Sequence, residues 1–82
     1  MTYIFEIKWR MKETGYKDIE KFLAKVIRSE FVGKPKRLIF ISKRGFTEQA
    51  SEYAKGENIV LIKEKDIPEI NRLLIANKIR NN

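Results

Sequence analysis

Two runs of four residues, Leu38-Ile39-Phe40-Ile41 and Ile59-Val60-Leu61-Ile62, are apolar at every position. A strand with one face in water alternates between apolar and polar side chains, whereas a strand covered on both faces has no need to. Runs of this kind predict strands of a parallel sheet covered by helices. A third candidate, Tyr3-Ile4-Phe5-Glu6-Ile7-Lys8-Trp9, is built from β-branched and aromatic residues with no Gly or Pro. Its period of two puts Ile4, Glu6 and Lys8 on one face and Tyr3, Phe5, Ile7 and Trp9 on the other.

Helical periodicity fills the intervals. After a break at 10–16, where Gly15 marks a turn, Ile19, Phe22, Leu23, Val26 and Ile27 form one apolar stripe at i, i+3, i+4, i+7 and i+8. Gly33 and Pro35 are the expected stop. Thr47 is a candidate N-cap for a helix reaching about Lys55, with Ala50, Tyr53 and Ala54 inward and Gly56 as its end. Asp66 is the expected cap of a last helix, with Pro68 in its first turn and Ile70, Leu73 and Leu74 inward. Residues 78–82 read as a frayed tail. The order β-α-β-α-β-α with short loops predicts one α/β domain over residues 1–82, with parallel strands and right-handed crossovers.

Eighty-two residues suffice for one small core. The absence of Cys and His excludes disulfides, thiolate metal sites, the usual zinc sites and His-based triads. No stretch approaches a membrane span, and Met1 leads directly into a strand, so the expectation is a soluble cytoplasmic protein. The Lys-, Glu- and Ile-rich composition without Cys or His fits a thermophile. The net charge of +7 is unevenly placed. Residues 1–44 hold 12 Lys and Arg against five acids, and residues 45–82 hold six of each sign. One-sided basic charge favours a polyanion such as DNA or RNA, and it also serves a well-solvated surface.

Glu6 and Lys8 lie two residues apart on one face of a strand. A carboxylate to ligate Mg²⁺ beside a lysine to orient water and stabilise phosphoryl charge is the pair a metal-dependent nuclease needs. The same spacing also makes an ordinary surface ion pair.

From Glu6 to about Leu74 the chain resembles the catalytic domain of Mrr-like restriction endonucleases and the related domain at the carboxyl end of some archaeal ATPases, both in the PD-(D/E)XK nuclease superfamily. Glu6-Ile7-Lys8 sits where the family places (E/Q)-x-K. The basic loop and helix of 12–31 follow, and the stretch from Phe40 to Ala54 is similar to the family's strand, "GFT" and helix ending in "A-x-x-Y-A". The resemblance implies a restriction-endonuclease-like core with Glu6 and Lys8 as catalytic residues and a Mg²⁺ cofactor held by Glu6, the Ile7 carbonyl and an acid from the first helix, Glu20 or Asp18. It also exposes a departure. The family's earlier helix and two strands, with the Asp that supplies a metal ligand, have no counterpart in these residues, as expected either of a fragment of a longer protein or of a core naturally shortened at its amino end. The Tyr3–Trp9 strand should then present an open apolar edge, and a homodimer through that edge is expected.

Two functions follow. One is a nuclease-like DNA-binding domain, acting as a metal-dependent DNA endonuclease if the incomplete site still assembles. The alternative is a catalytically inactive nucleic-acid-binding or protein-assembly module that keeps the nuclease fold. For binding, Lys34, Lys36, Arg37, Lys43 and Arg44 would track phosphates, assisted by Lys12 and Lys17. Trp9 and Phe46 are candidates for base stacking or for the core.

Overall fold

The computed structural model describes residues 1–69. Its elements are β1 (Thr2–Lys8), α1 (Tyr16–Ile27), β2 (Lys36–Ser42), α2 (Glu48–Gly56), β3 (Ile59–Lys63) and a 3-10 turn at Glu64–Glu69. The strands form a parallel sheet in the order β1-β2-β3, with Glu6 opposite Phe40 and Phe40 opposite Leu61. The α/β reading and the β-α alternation hold. The expected last helix falls largely outside the described residues. Where its cap was expected, Asp66 instead accepts a hydrogen bond from the Lys63 N–H at 3.1 Å and fastens the 3-10 turn to β3.

Both helices lie on one face of the sheet, the arrangement expected when two successive crossovers of the usual right hand move in the same direction. Ile19, Phe22 and Val26 of α1 and Ala50 and Ala54 of α2 share a single core with Leu38, Phe40 and Ile59. Phe40 is fully buried between Phe22 and Phe46, whose rings meet it edge-on at 5.5 and 5.7 Å. A buried side chain of this size contributes about 1.5–3 kcal/mol by transfer alone. The other face carries Ile39 and Ile62, both fully buried. Toward β1 that face opens, and Tyr3, Phe5 and Ile7 are 38%, 46% and 57% exposed.

α1 stops before Gly33 and Pro35 because Ser29 donates its hydroxyl to the Val26 carbonyl and the chain enters turns. α2 begins as expected, with Thr47 Oγ1 accepting from the Ala50 N–H at 3.1 Å. It runs through Gly56, and Asn58 takes the left-handed conformation (φ 57°) that turns the chain into β3. Asn tolerates that region better than most residues.

All three strands end on the same side of the sheet, and the loops there are fastened together. The Thr14 N–H donates to the Gly45 carbonyl and the Thr47 N–H to the Thr14 carbonyl, at 2.9 and 3.0 Å. The Thr14 hydroxyl donates to Ser42, and Ser42 Oγ donates to the Gly45 carbonyl, both at 2.8 Å. Thr14 and Ser42 are fully buried, so this network is worth more than it would be in water. Gly45 has φ 83°, and a Cβ there would lie 3.1 Å from Lys63 Cδ. The Gly45-Phe46-Thr47 motif is therefore structural: a glycine for the turn, an aromatic for the core and a cap for α2.

Candidate functional site

Two charged sites lie toward the carboxyl ends of the strands. The first is under α1. Glu6 projects to the helix-covered face, where its side chain is only 16% exposed. It meets two ammonium groups, Lys8 Nζ at 3.7 Å and Lys25 Nζ at 2.9 Å. Asp18, Lys21, Phe22 and Lys25 recur at helical spacing along α1, so one side of the helix closes over the strand pair. With Glu6 and Lys8 they line a cavity of about 60 Å³.

Asp18 is itself engaged. It accepts from the Gly15 N–H at 3.0 Å, which satisfies a free donor at the start of α1, and it is paired with the Arg10 guanidinium. Burial works to raise its pKa. The Gly15 hydrogen bond, Arg10 and the Lys8 charge outweigh burial and hold the carboxyl below its usual value.

This donor set does not fit a divalent cation. Among the described residues no three Asp, Glu, His or Cys side chains gather at one point. Glu6 and Asp18 are the cavity's two carboxylates, and both already face cations. Lys8, Lys21, Lys25 and Arg10 set against them leave the group net positive by two, so an added dication would meet repulsion at short range. Glu20 does not join the group. It is exposed on the α2 side of α1, where its charge, after burial and Tyr16 and Glu57, helps raise the Tyr53 hydroxyl pKa. The Ile7 carbonyl, the other expected ligand, points to the edge of β1 away from β2, because the backbone groups of Thr2 and Lys8 turn toward β2 and those of the residues between alternate.

The second site is a cleft of about 460 Å³ lined by Lys43, Arg44, Lys63, Glu64 and Lys65. Four cations face one acid here. Beside the cleft, Lys43 Nζ sits 5.7 Å from the centre of the Trp9 ring, a cation–π contact. Trp9 is 51% exposed, whereas Phe46 packs into the core against Phe40. Open α/β sheets place ligands at this end.

The sequence-predicted basic residues therefore divide. Lys43 and Arg44 are in the cleft. Lys12, on the loop after β1, and Lys17, in the first turn of α1, are exposed at the same end of the sheet. Lys34, Lys36 and Arg37 lie at the amino end of β2, about 20 Å away along the strand. There Lys36 donates to the Lys34 carbonyl at 3.2 Å. Lys21, Lys25, Lys63 and Lys65 escaped the sequence reading. The i+3 and i+7 spacing from Asp18 was the signal available for the first two.

A restriction endonuclease family model, that of the Mrr catalytic domain, matches residues 1–71. The crystal structure of AF1548, a protein of unknown function, superposes with a TM-score of 0.67 at 26% identity, covering 93% of this chain and 43% of that one. The chain thus spans less than half the length of that relative. No curated protein matches.

Proposed function

Because the chain belongs to the Mrr-type restriction endonuclease family, we propose that it is a nuclease-fold domain that binds the DNA backbone at the carboxyl end of its sheet, as a homodimer joined through β1. The observation that carries this reading is the Lys43–Arg44–Lys63–Lys65 cleft with its single acid. Phosphates are held by cations that are not already neutralised, and these four are concentrated where two fastened loops hold the backbone in place. Trp9, half exposed beside Lys43, offers a ring on which an unpaired base can stack. Among the described residues no base-reading element is evident, so recognition is of the backbone and of DNA structure. The test is duplex binding by fluorescence anisotropy across a salt series. Lys43→Ala with Arg44→Ala should lower the magnitude of the log–log salt slope by about 2, one unit per lost phosphate contact. An unchanged slope removes the cleft from the interface.

A second reading, phosphodiester hydrolysis, is favoured by the meeting of Glu6 and Asp18 at one cavity in a family of generally metal-dependent domains. The net positive charge of that cavity means hydrolysis needs a further carboxylate, and since residues 70–82 hold no Asp or Glu it would come from another chain. Nicking of supercoiled DNA with Mg²⁺, lost in Lys8→Ala, is the result that would select this reading.

A further inference from the structure

The open edge of β1 specifies how two copies would pair. The Thr2 N–H donates to the Pro35 carbonyl, and the Lys8 carbonyl accepts from the Lys43 N–H. Backbone groups of successive strand residues point to opposite sides, so those of Thr2, Ile4, Glu6 and Lys8 turn toward β2. The N–H and C=O groups of Tyr3, Phe5 and Ile7 then point away from the sheet. Among the described residues no strand pairs with that side. The same three residues carry the exposed apolar side chains of the outer face, and Trp9 continues the stripe.

A second copy pairing antiparallel to this edge must hydrogen-bond through odd-numbered residues, which restricts the register to a few choices. With Phe5 on the two-fold axis, Glu6 stands opposite the partner's Ile4. With Glu6 on the axis, two carboxylates stand opposite each other, a destabilising arrangement. With Ile7 on the axis, Glu6 stands opposite the partner's Lys8 and Phe5 opposite the partner's Trp9, each pair occurring twice by symmetry. Opposite charges and paired aromatics directly across a ladder are the favourable combinations. The charged pairs also fall in the non-hydrogen-bonded positions, where side chains approach most closely.

We propose that the chain dimerises through β1 in this register, with Ile7 on the two-fold axis and the Glu6 carboxylate facing the partner's Lys8. The two Glu6 cavities then lie side by side in one six-stranded sheet, and each receives a cation from the other copy. This inference rests on the homodimer reading above and adds its register and its charge pairs.

The chain has no cysteine, so single-cysteine variants report the register directly. A hydrogen-bonded antiparallel pair places its Cα atoms about 5.5 Å apart, within disulfide reach. Ile7→Cys should convert to a covalent dimer under mild oxidation. Phe5→Cys and Glu6→Cys should do so at least about tenfold more slowly, their Cα atoms being beyond reach. Light scattering on the wild type, at tens of micromolar, should give a dimer. Lys8→Glu should give a monomer, and Glu6→Lys combined with Lys8→Glu should restore the dimer. Fastest crosslinking through Phe5→Cys or Glu6→Cys overturns the register and leaves the dimer standing. A wild-type dimer that none of the three crosslinks places the interface elsewhere, and a wild-type monomer overturns both. DNA binding, measured separately, decides the functional reading independently of any of these results.

Discussion

The Glu6 cavity and the Lys43 cleft draw on the same residue types at the same end of the same sheet, yet their charges are balanced differently. In the cavity each acid is matched: Lys8 and Lys25 hold Glu6, and Arg10 and the Gly15 N–H hold Asp18. In the cleft four cations share one carboxylate. The difference shows why a count of lysines does not locate an interface. A cation already paired gives up that partner to bind a phosphate, while an unpaired one gives up only water and counterions.

The sharpest way to break the comparison is at its support. Gly45→Ala forces a side chain into a left-handed conformation against Lys63, and should cost about 1–3 kcal/mol in urea unfolding. DNA binding should fall along with it, because Gly45 fastens the loop that carries Lys43 and Arg44. A substitution without effect on either would mean that the loop is not held there.

Next in size, Lys43→Ala with Arg44→Ala should weaken duplex binding about tenfold at moderate salt. Lys34→Ala with Lys36→Ala, at the far end of β2, should change it much less. Equal losses would show that the two basic groups form one surface. Smaller again, Lys25→Gln removes one exposed partner of Glu6 and should cost no more than about 1 kcal/mol. Its DNA affinity should drop by less than that of the cleft variant.

The smallest effect is in acid. Asp18 has a lowered pKa in the folded state, so its contribution to stability is present above the unfolded carboxyl value and is lost as pH falls through the folded one. Urea midpoints should therefore fall more steeply below about pH 4 in the wild type than in Asp18→Asn. Parallel curves would show that Arg10 and Gly15 do not hold the carboxylate.

Much of this fold was legible in the chain because burial leaves a periodic trace. The uniform runs at 38–41 and 59–62 became the strands with both faces covered, and the stripe from Ile19 to Val26 became the buried side of α1, while Ile27, read as its last member, is 65% exposed where the helix ends. Alternation alone placed Glu6 and Lys8 on one face. Lys25 joins Glu6 from 19 residues away, a meeting set by the crossover and by the rotation of α1 rather than by any local pattern. Lys63 and Lys65 carry no local pattern that marks a cleft, which forms only where the turn held by the Asp66 carboxylate on the Lys63 N–H meets the loop after β2. Lys34, Lys36 and Arg37 are close in sequence to Lys43 and Arg44, but a strand of seven residues separates them in space.

The central claim, that polyanions meet the cleft and not the Glu6 cavity, is tested most directly by a ¹H–¹⁵N NMR titration with a short DNA duplex. Lys43–Gly45, Lys63–Lys65 and the indole N–H of Trp9, the single tryptophan, should shift first and saturate together, with Glu6 and Lys25 moving little. Shifts concentrated at Glu6, Lys8, Lys21 and Lys25, with the cleft unmoved, would contradict it.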